Sequence, residues 1–311
     1  MERALFDDAL ALGRAAVPLE SIESWRARHR ALVAGVDPSI DRAILAGAVM
    51  DRIGYAFASG YTAALGALMP GLTGFASLLA TEAGGAHPRA VQATLAARPV
   101  GGFILDGEKE WCTLGPVADV LLVVARTGTD TLGRPLLRVA RVDARSAGVA
   151  IEARAEAAFV PEVPHARVVL RHVELEAADV LPGDGYEHYL KPFRTIEDVH
   201  VHAAVSMHLA ALAERHRFAP DLFERSLAVA AALRGLASLD PGAPGTHLAL
   251  AGVLSASRAL MADIEPAILA LGGDVAARWL RDRPLFEIAG RAREARRAAA
   301  RRRLFGAPIG G

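Results

Sequence analysis

The sequence predicts an α+β chain in three parts: a helical amino-terminal domain, a central antiparallel β-barrel or sandwich, and a carboxy-terminal four-helix bundle. Three observations predict it. Apolar residues recur at helical spacing up to about residue 75 and again beyond about residue 186. Between them, short apolar runs separated by Gly and Pro follow one another without helices, the pattern of antiparallel sheet. The chain has 311 residues, 52% of them hydrophobic, enough for two or three packed layers.

Taken in order, residues 1–75 carry Leu5, Leu10, Leu12, Ala15 and Ala16 near helical spacing. A longer stripe follows in Ile44, Leu45, Val49, Ile53, Phe57, Tyr61 and Leu65, with Pro38 and Pro70 as breaks. Residues 76–185 supply the strands: 76–81, 92–97, 102–105, 120–126, 136–142, 149–151 and 166–175. Asp106-Gly107 reads as a tight turn, because primed turns want positive φ at their central positions. Residues 186–311 turn helical over about 190–216, 220–237, 246–270 and 283–303, with Asp240–Gly245 as a plain loop.

Composition excludes several classes. Lys and Arg total 35 against 35 acids, so no global field favours nucleic acid or an anionic membrane. Cys112 is the single cysteine, which rules out an internal disulfide and fits a reducing compartment. The first residues, MERALFDDALALG, bear acids where a signal peptide needs bases, and no apolar run approaches a membrane span. The expectation is a cytoplasmic chain without nucleic-acid or membrane partners. The spacing Glu197-x-x-His200 lacks the second copy that a di-iron bundle needs, and His200, His202 and His208 lack the i,i+4 spacing of a zinc helix, so no metal is expected. The arginine-rich run 291–303, interleaved with alanine, is an excellent helix former without aromatics that stack on bases.

The most informative segment is Gly102–Arg126, GFILDGEKEWCTLGPVADVLLVVAR. Trp111 and Thr113 lie two apart on an extended stretch and so share a face. An indole and a hydroxyl side by side suit a flat ligand rich in heteroatoms. The segment resembles the flavin-contacting hairpin of the acyl-CoA dehydrogenase family, "G-x-x-L-x-G-x-K-x-[WF]-[IC]-T-[NL]-G-x-x-A-D". Leu79-Ala-Thr-Glu-Ala-Gly-Gly85 resembles that family's "TExxxGSD" loop, and Ala213–Leu222 resembles "A-x-x-R-x-x-F-G-x-P-L". Leu271-Gly-Gly273 and Arg281-Asp282 fall where the family has "GG" and "RD". The matches run in order across roughly residues 50–306.

The resemblance implies FAD as cofactor, an acyl-CoA or related thioester as substrate, and a place in fatty-acid metabolism. It implies a homodimer or tetramer, with a complementary family subunit as a further partner. Thr81 would meet the pyrimidine edge of the flavin, Trp111 its face and Thr113 its N5. Gly85 would offer a backbone N–H to phosphate, Arg215 would pair with the pyrophosphate, and Phe218 would pack near the adenine. Gly272 and Gly273 complete the implied cofactor set. Departures are equally plain. The family's loop serine is missing from Gly84-Gly85-Ala86-His87, and the amino-terminal helical domain is shorter than the family's. The position of the usual catalytic glutamate holds Ala289. The base would then be Glu197 or Asp198, with Glu197 preferred, on the first bundle helix as in some family members, or Glu287 if the register slips. Two other readings stand beside a working dehydrogenase: a silent subunit acting with a partner chain, and a flavin-free interaction protein of the same fold.

Overall fold

Four helices precede the first strand: α1 (Leu5–Arg14), α2 (Ile22–Val33), α3 (Ser39–Val49) and α4 (Ile53–Leu68). The computed structural model describes residues 4–85 and 87–306. Ser21 starts α2 with a reciprocal cap, its side chain and that of Ser24 each accepting from the other's backbone N–H. The long stripe that reads as one helix breaks at Met50–Arg52 into α3 and α4. The buried face of α1 is Leu5, Ala9 and Gly13 rather than Leu10 and Leu12, and Leu12 is exposed. Gly13 is needed there because a Cβ would lie 2.9 Å from the Ala48 carbonyl oxygen.

The bundle helices are α5 (Lys191–Arg215), α6 (Pro220–Leu236), α7 (Pro244–Leu271), α8 (Gly273–Asp282) and α9 (Gly290–Phe305). The expected helix over 283–303 is instead a 3-10 turn at Arg283–Glu287 followed by α9, and α8 was not legible. Gly272 and Gly273, at φ +65° and +54°, end α7 in the left-handed region that glycine tolerates. Pro284 then interrupts the continuation. The α3 and α4 helices approach α5 so closely that side chains are excluded. A Cβ on Gly47 would sit 2.1 Å from the Ala204 carbonyl oxygen, and one on Gly60 would sit 2.6 Å from the Val201 Cα. Among the described residues one helix, α7, is long and apolar enough by length and composition to cross a membrane, which revises the expectation that no segment approaches that length. It packs on α6, α8 and α9 and carries Arg258, Asp263 and Glu265.

The strands are β1 (Ala76–Leu79), β2 (Thr94–Ala97), β3 (Phe103–Thr113), β4 (Val120–Thr129), β5 (Pro135–Asp143), β6 (Val149–Ala153) and β7 (His165–Leu175). They form one seven-stranded sheet ordered β1-β4-β2-β3-β7-β6, with β5 on β4. Pairing is antiparallel except for β1–β4 and a single residue pair between β2 and β4. Asp106-Gly107 is not a turn. β3 runs through it with a bulge, and Gly107 is required because a Cβ would meet the Ala93 Cβ at 2.5 Å. Leu105, Leu121, Val123, Val142, Val168 and Val173 are fully or almost fully buried in this unit's core.

The chain divides into two units: the described parts of 1–67, 157–162 and 194–311 form the helical one, and 68–156 with 163–193 the β one. The mixed α+β architecture, helices at both ends and a curled central sheet, is the one the sequence predicts.

Candidate functional site

In the β unit, β3 delivers Trp111 and Thr113. A second bulge, between Lys109 and Cys112, interrupts the strand's alternation, and Trp111 adopts φ +56°. A bulky residue in the left-handed region is strained by about 1–3 kcal/mol and is held only where its surroundings demand it. Thr113 pairs with His165 of β7, whose ring meets the Trp111 indole edge-on at 6.1 Å between centroids. Trp111 and Thr113 therefore both neighbour His165, although simple alternation is not the reason. Trp111 is 53% exposed. The guanidinium of Arg154, just past β6, lies 4.2 Å from the indole centroid and pairs with Glu110. Burial, with help from Arg154, pushes the His165 pKa below its usual value.

Thr81 is brought to the same place: its carbonyl accepts from the Glu110 N–H at 2.8 Å. Ser77 Oγ donates to the Thr113 carbonyl at 2.7 Å. Neither threonine hydroxyl has a hydrogen-bond partner among the described residues. Under this platform lies a feature that the motif contained but sequence reading passed over. Lys109 is fully buried, its Nζ 2.7 Å from Glu82 Oε1 and 2.5 Å from the Val124 carbonyl. Glu82 also accepts from the backbone N–H groups of Gln92 and Ala93. The "TE" and "G-x-K" elements are thus two ends of one buried ion pair tying the 82–93 segment to β3 and β4. The expected phosphate loop is partly spoken for, since the Gly85 N–H already donates to the Glu82 carbonyl at 2.8 Å.

In the helical unit, Arg215 ends α5, exposed, with Nη2 donating to the Gly13 carbonyl. Phe218 stacks with His216 at 6.1 Å, and Gly272–Gly273 form the α7–α8 break. Arg281-Asp282 turns out structural: fully buried Asp282 accepts from the Val160 N–H, and Arg281 pairs with Asp282 and Glu162.

The candidate bases lie near an arginine cluster that sequence reading missed. Asp198 on α5 accepts from Arg293 at 2.7 Å and from Arg296 at 2.5 Å, both on α9. Burial would raise Asp198, but Arg293 and then Arg296 outweigh it and hold the carboxyl below its usual range. Asp198 is therefore an anchor rather than a base. Arg293 also donates to the Phe286 carbonyl at 3.0 Å, which ties the 286–290 turn, with Glu287 and Ala289, to α5. Its Nη2 lies 3.3 Å from His202 Nε2. Glu197 has no hydrogen-bond partner among the described residues. Burial first, then the Asp198 carboxylate, pushes its pKa up to about 7, against the pull of Arg293 and Arg194. Glu287 is exposed and lines a cavity of about 60 Å³ with His202, Arg258 and Arg297. The one available signal for this cluster was the i,i+3 spacing of Arg293 and Arg296, which puts both on one helical face.

Helices at both ends of the chain and a curled sheet between them in sequence match the acyl-CoA dehydrogenase-like fold, and the comparisons agree. Residues 76–173 match the family model "Acyl-CoA dehydrogenase, middle domain". Comparison with curated proteins finds no match. Among solved structures, butyryl-CoA dehydrogenase from Megasphaera elsdenii superposes with a TM-score of 0.73 at 15% identity, covering 96% of this chain and 98% of that one. FMN-bound TdsC from Paenibacillus sp. A11-2 superposes at 0.71 and 15%, with 97% of each chain covered. A structure described as electron transferring flavoprotein of Acidaminococcus fermentans gives 0.72 and 14%, again with 97% of each. Residues 76–173 thus match the middle domain of the acyl-CoA dehydrogenase family, and the whole chain shares the fold of these structures.

Proposed function

We propose that the chain is a flavin-dependent oxidoreductase that removes hydrogen from the α,β-carbons of an acyl thioester. The observation that carries the cofactor is the platform itself: a strained, half-exposed indole beside two unpartnered threonine hydroxyls. These residues fit a flavin. Trp111 would hold the ring face, Thr113 would donate toward N5 and Thr81 toward the pyrimidine edge; Arg215 and Phe218 would serve the adenosine diphosphate end of a flavin across a dimer interface, as the resemblance implies. When bound, FAD supplies the acceptor for the β-hydride. Glu197 takes the α-proton. A carboxyl with a pKa of about 7, free of hydrogen bonds, is poised to accept a proton near neutral pH. Arg293 holds Asp198 beside it and so fixes the local charge.

The exposed face of α7, with Gly245, Ala249, Gly252, Ala256, Ala259 and Pro266 in a 3–4 repeat, suits close packing against a second copy. This supports the homo-oligomer that the family pattern implies. A second reading changes only the substrate. Structural neighbours are described as PigA with FAD and proline and as TdsC with FMN and indole, so the fold serves ligands other than acyl thioesters. The deciding experiment is a visible absorbance titration of the purified chain with FAD and then with butyryl-CoA and a panel of longer acyl-CoAs. Flavin bands that bleach with a thioester support dehydrogenation. Bands that form and bleach with none favour the second reading or a silent subunit, and absence of flavin uptake refutes the cofactor assignment.

A further inference from the structure

Arg154 lies outside every motif matched in the sequence, yet it contacts the indole and the neighbours of both threonines. Its guanidinium covers one face of Trp111 at 4.2 Å. Its side chain pairs with Glu110, whose N–H binds the Thr81 carbonyl. Its own N–H donates to the carbonyl of His165 at 2.9 Å, the cross-strand partner of Thr113. Two cations, Arg154 and Arg167, serve three carboxylates here: Glu108, Glu110 and Glu152. Removing Arg154 therefore bares a negative charge beside the indole.

We propose that Arg154 is a positioning residue for the flavin, fixing which face of Trp111 the ring system meets and raising the cofactor's reduction potential. The inference rests on the flavin reading above. A flat ligand meets the indole on the face that Arg154 leaves open or along its edge, and a guanidinium stacked on the indole orients the ring by cation–π attraction. A positive charge held against the indole favours the electron-rich form of a ligand that meets that indole, through Coulomb attraction that water screens only in part.

The test loads FAD onto the wild-type chain and onto R154Q, R154K and E110Q, and measures the two-electron potential by dye equilibration. Apo-protein indole emission is recorded for the same set and in a W111F background. R154Q is expected to weaken binding of the reduced flavin about tenfold relative to the oxidised, a fall of about 30 mV for a two-electron couple. E110Q should shift the potential upward, and R154K, which keeps the charge but loses the planar fork, should hold the potential while changing Trp111 emission. A merely structural role would move R154Q and E110Q in the same direction. Should R154Q fail to fold, the E110Q and R154K shifts decide. An R154Q protein that binds FAD at the wild-type potential overturns this proposal alone; a wild-type chain that takes up no FAD overturns the flavin reading and this proposal with it.

Discussion

Strand β3 and helix α9 make an instructive pair. On β3, eleven consecutive residues hold the aromatic platform, a hydroxyl and a buried lysine, so one local run of sequence describes one local piece of chemistry. On α9 the sequence offers only arginines and alanines. Its importance comes from α5, ninety-five positions earlier, where Asp198 waits for Arg293. A site built along a strand is written in the sequence, whereas a site built between helices is written in their packing.

The sharpest way to break the comparison lies on the helical side. E197Q keeps the shape and removes the proton acceptor, so flavin reduction by substrate should slow by about 10²–10⁴-fold, with FAD binding unchanged. E287Q, at an exposed position, should stay within a few-fold of wild type. Rapid-mixing absorbance separates the two.

On the strand side the largest effect is on stability. K109M leaves the Glu82 carboxylate buried with only two backbone donors, which should cost about 3–5 kcal/mol in chemical denaturation. Because the removed partner rather than the pair is the problem, K109M/E82Q should recover part of that loss.

Acid should destabilise the helical unit before the sheet. His29, His200, His202 and His208 are buried, and burial lowers each to about 4 from 6.5. Between these values the unfolded chain binds more protons than the folded one, so stability falls as pH drops from about 6.5 to 4. Each histidine contributes up to ~3 kcal/mol by its shift. Glu197 runs the other way, losing stability as pH rises from 4.5 towards 7, but one carboxyl does not offset four imidazoles. Thermal melts across pH 4–8 should show a decline on the acid side, and a flat profile would contradict this balance.

A smaller effect sharpens the link between the helices. D198N removes the carboxylate that raises Glu197 and frees Arg293 to lower it. The acid limb of the pH–rate profile should move to lower pH, while an unmoved limb would uncouple α9 from the base.

The order of helices, strands and helices was legible because strand and helix periodicities differ, although the helices at the two ends fall in one unit. Trp111 and Thr113 stand together in one motif and Thr81 in a second, which the Glu110 N–H joins to it. Other features were hidden for physical reasons. Asp106-Gly107 carries a turn signature, but its glycine serves the close approach to Ala93 inside a continuous strand. Lys109 is one charge within the hairpin motif, and its buried partner Glu82 lies in a separate motif, so no local pattern joins them. Arg154 reaches Trp111 only because β6 pairs with β7 in a register that no local pattern specifies. Likewise, the Gly272–Gly273 pair reads as a motif, yet its backbone geometry shows a helix break.

The central claim, that a flavin on the Trp111 platform works with Glu197 as base, is tested most directly by one comparison. FAD-loaded wild-type chain and E197Q are mixed anaerobically with butyryl-CoA or the best longer acyl-CoA, and the flavin absorbance is followed. Bleaching in the wild type, and none on the same timescale in E197Q, is the predicted result; equal bleaching in both would contradict it.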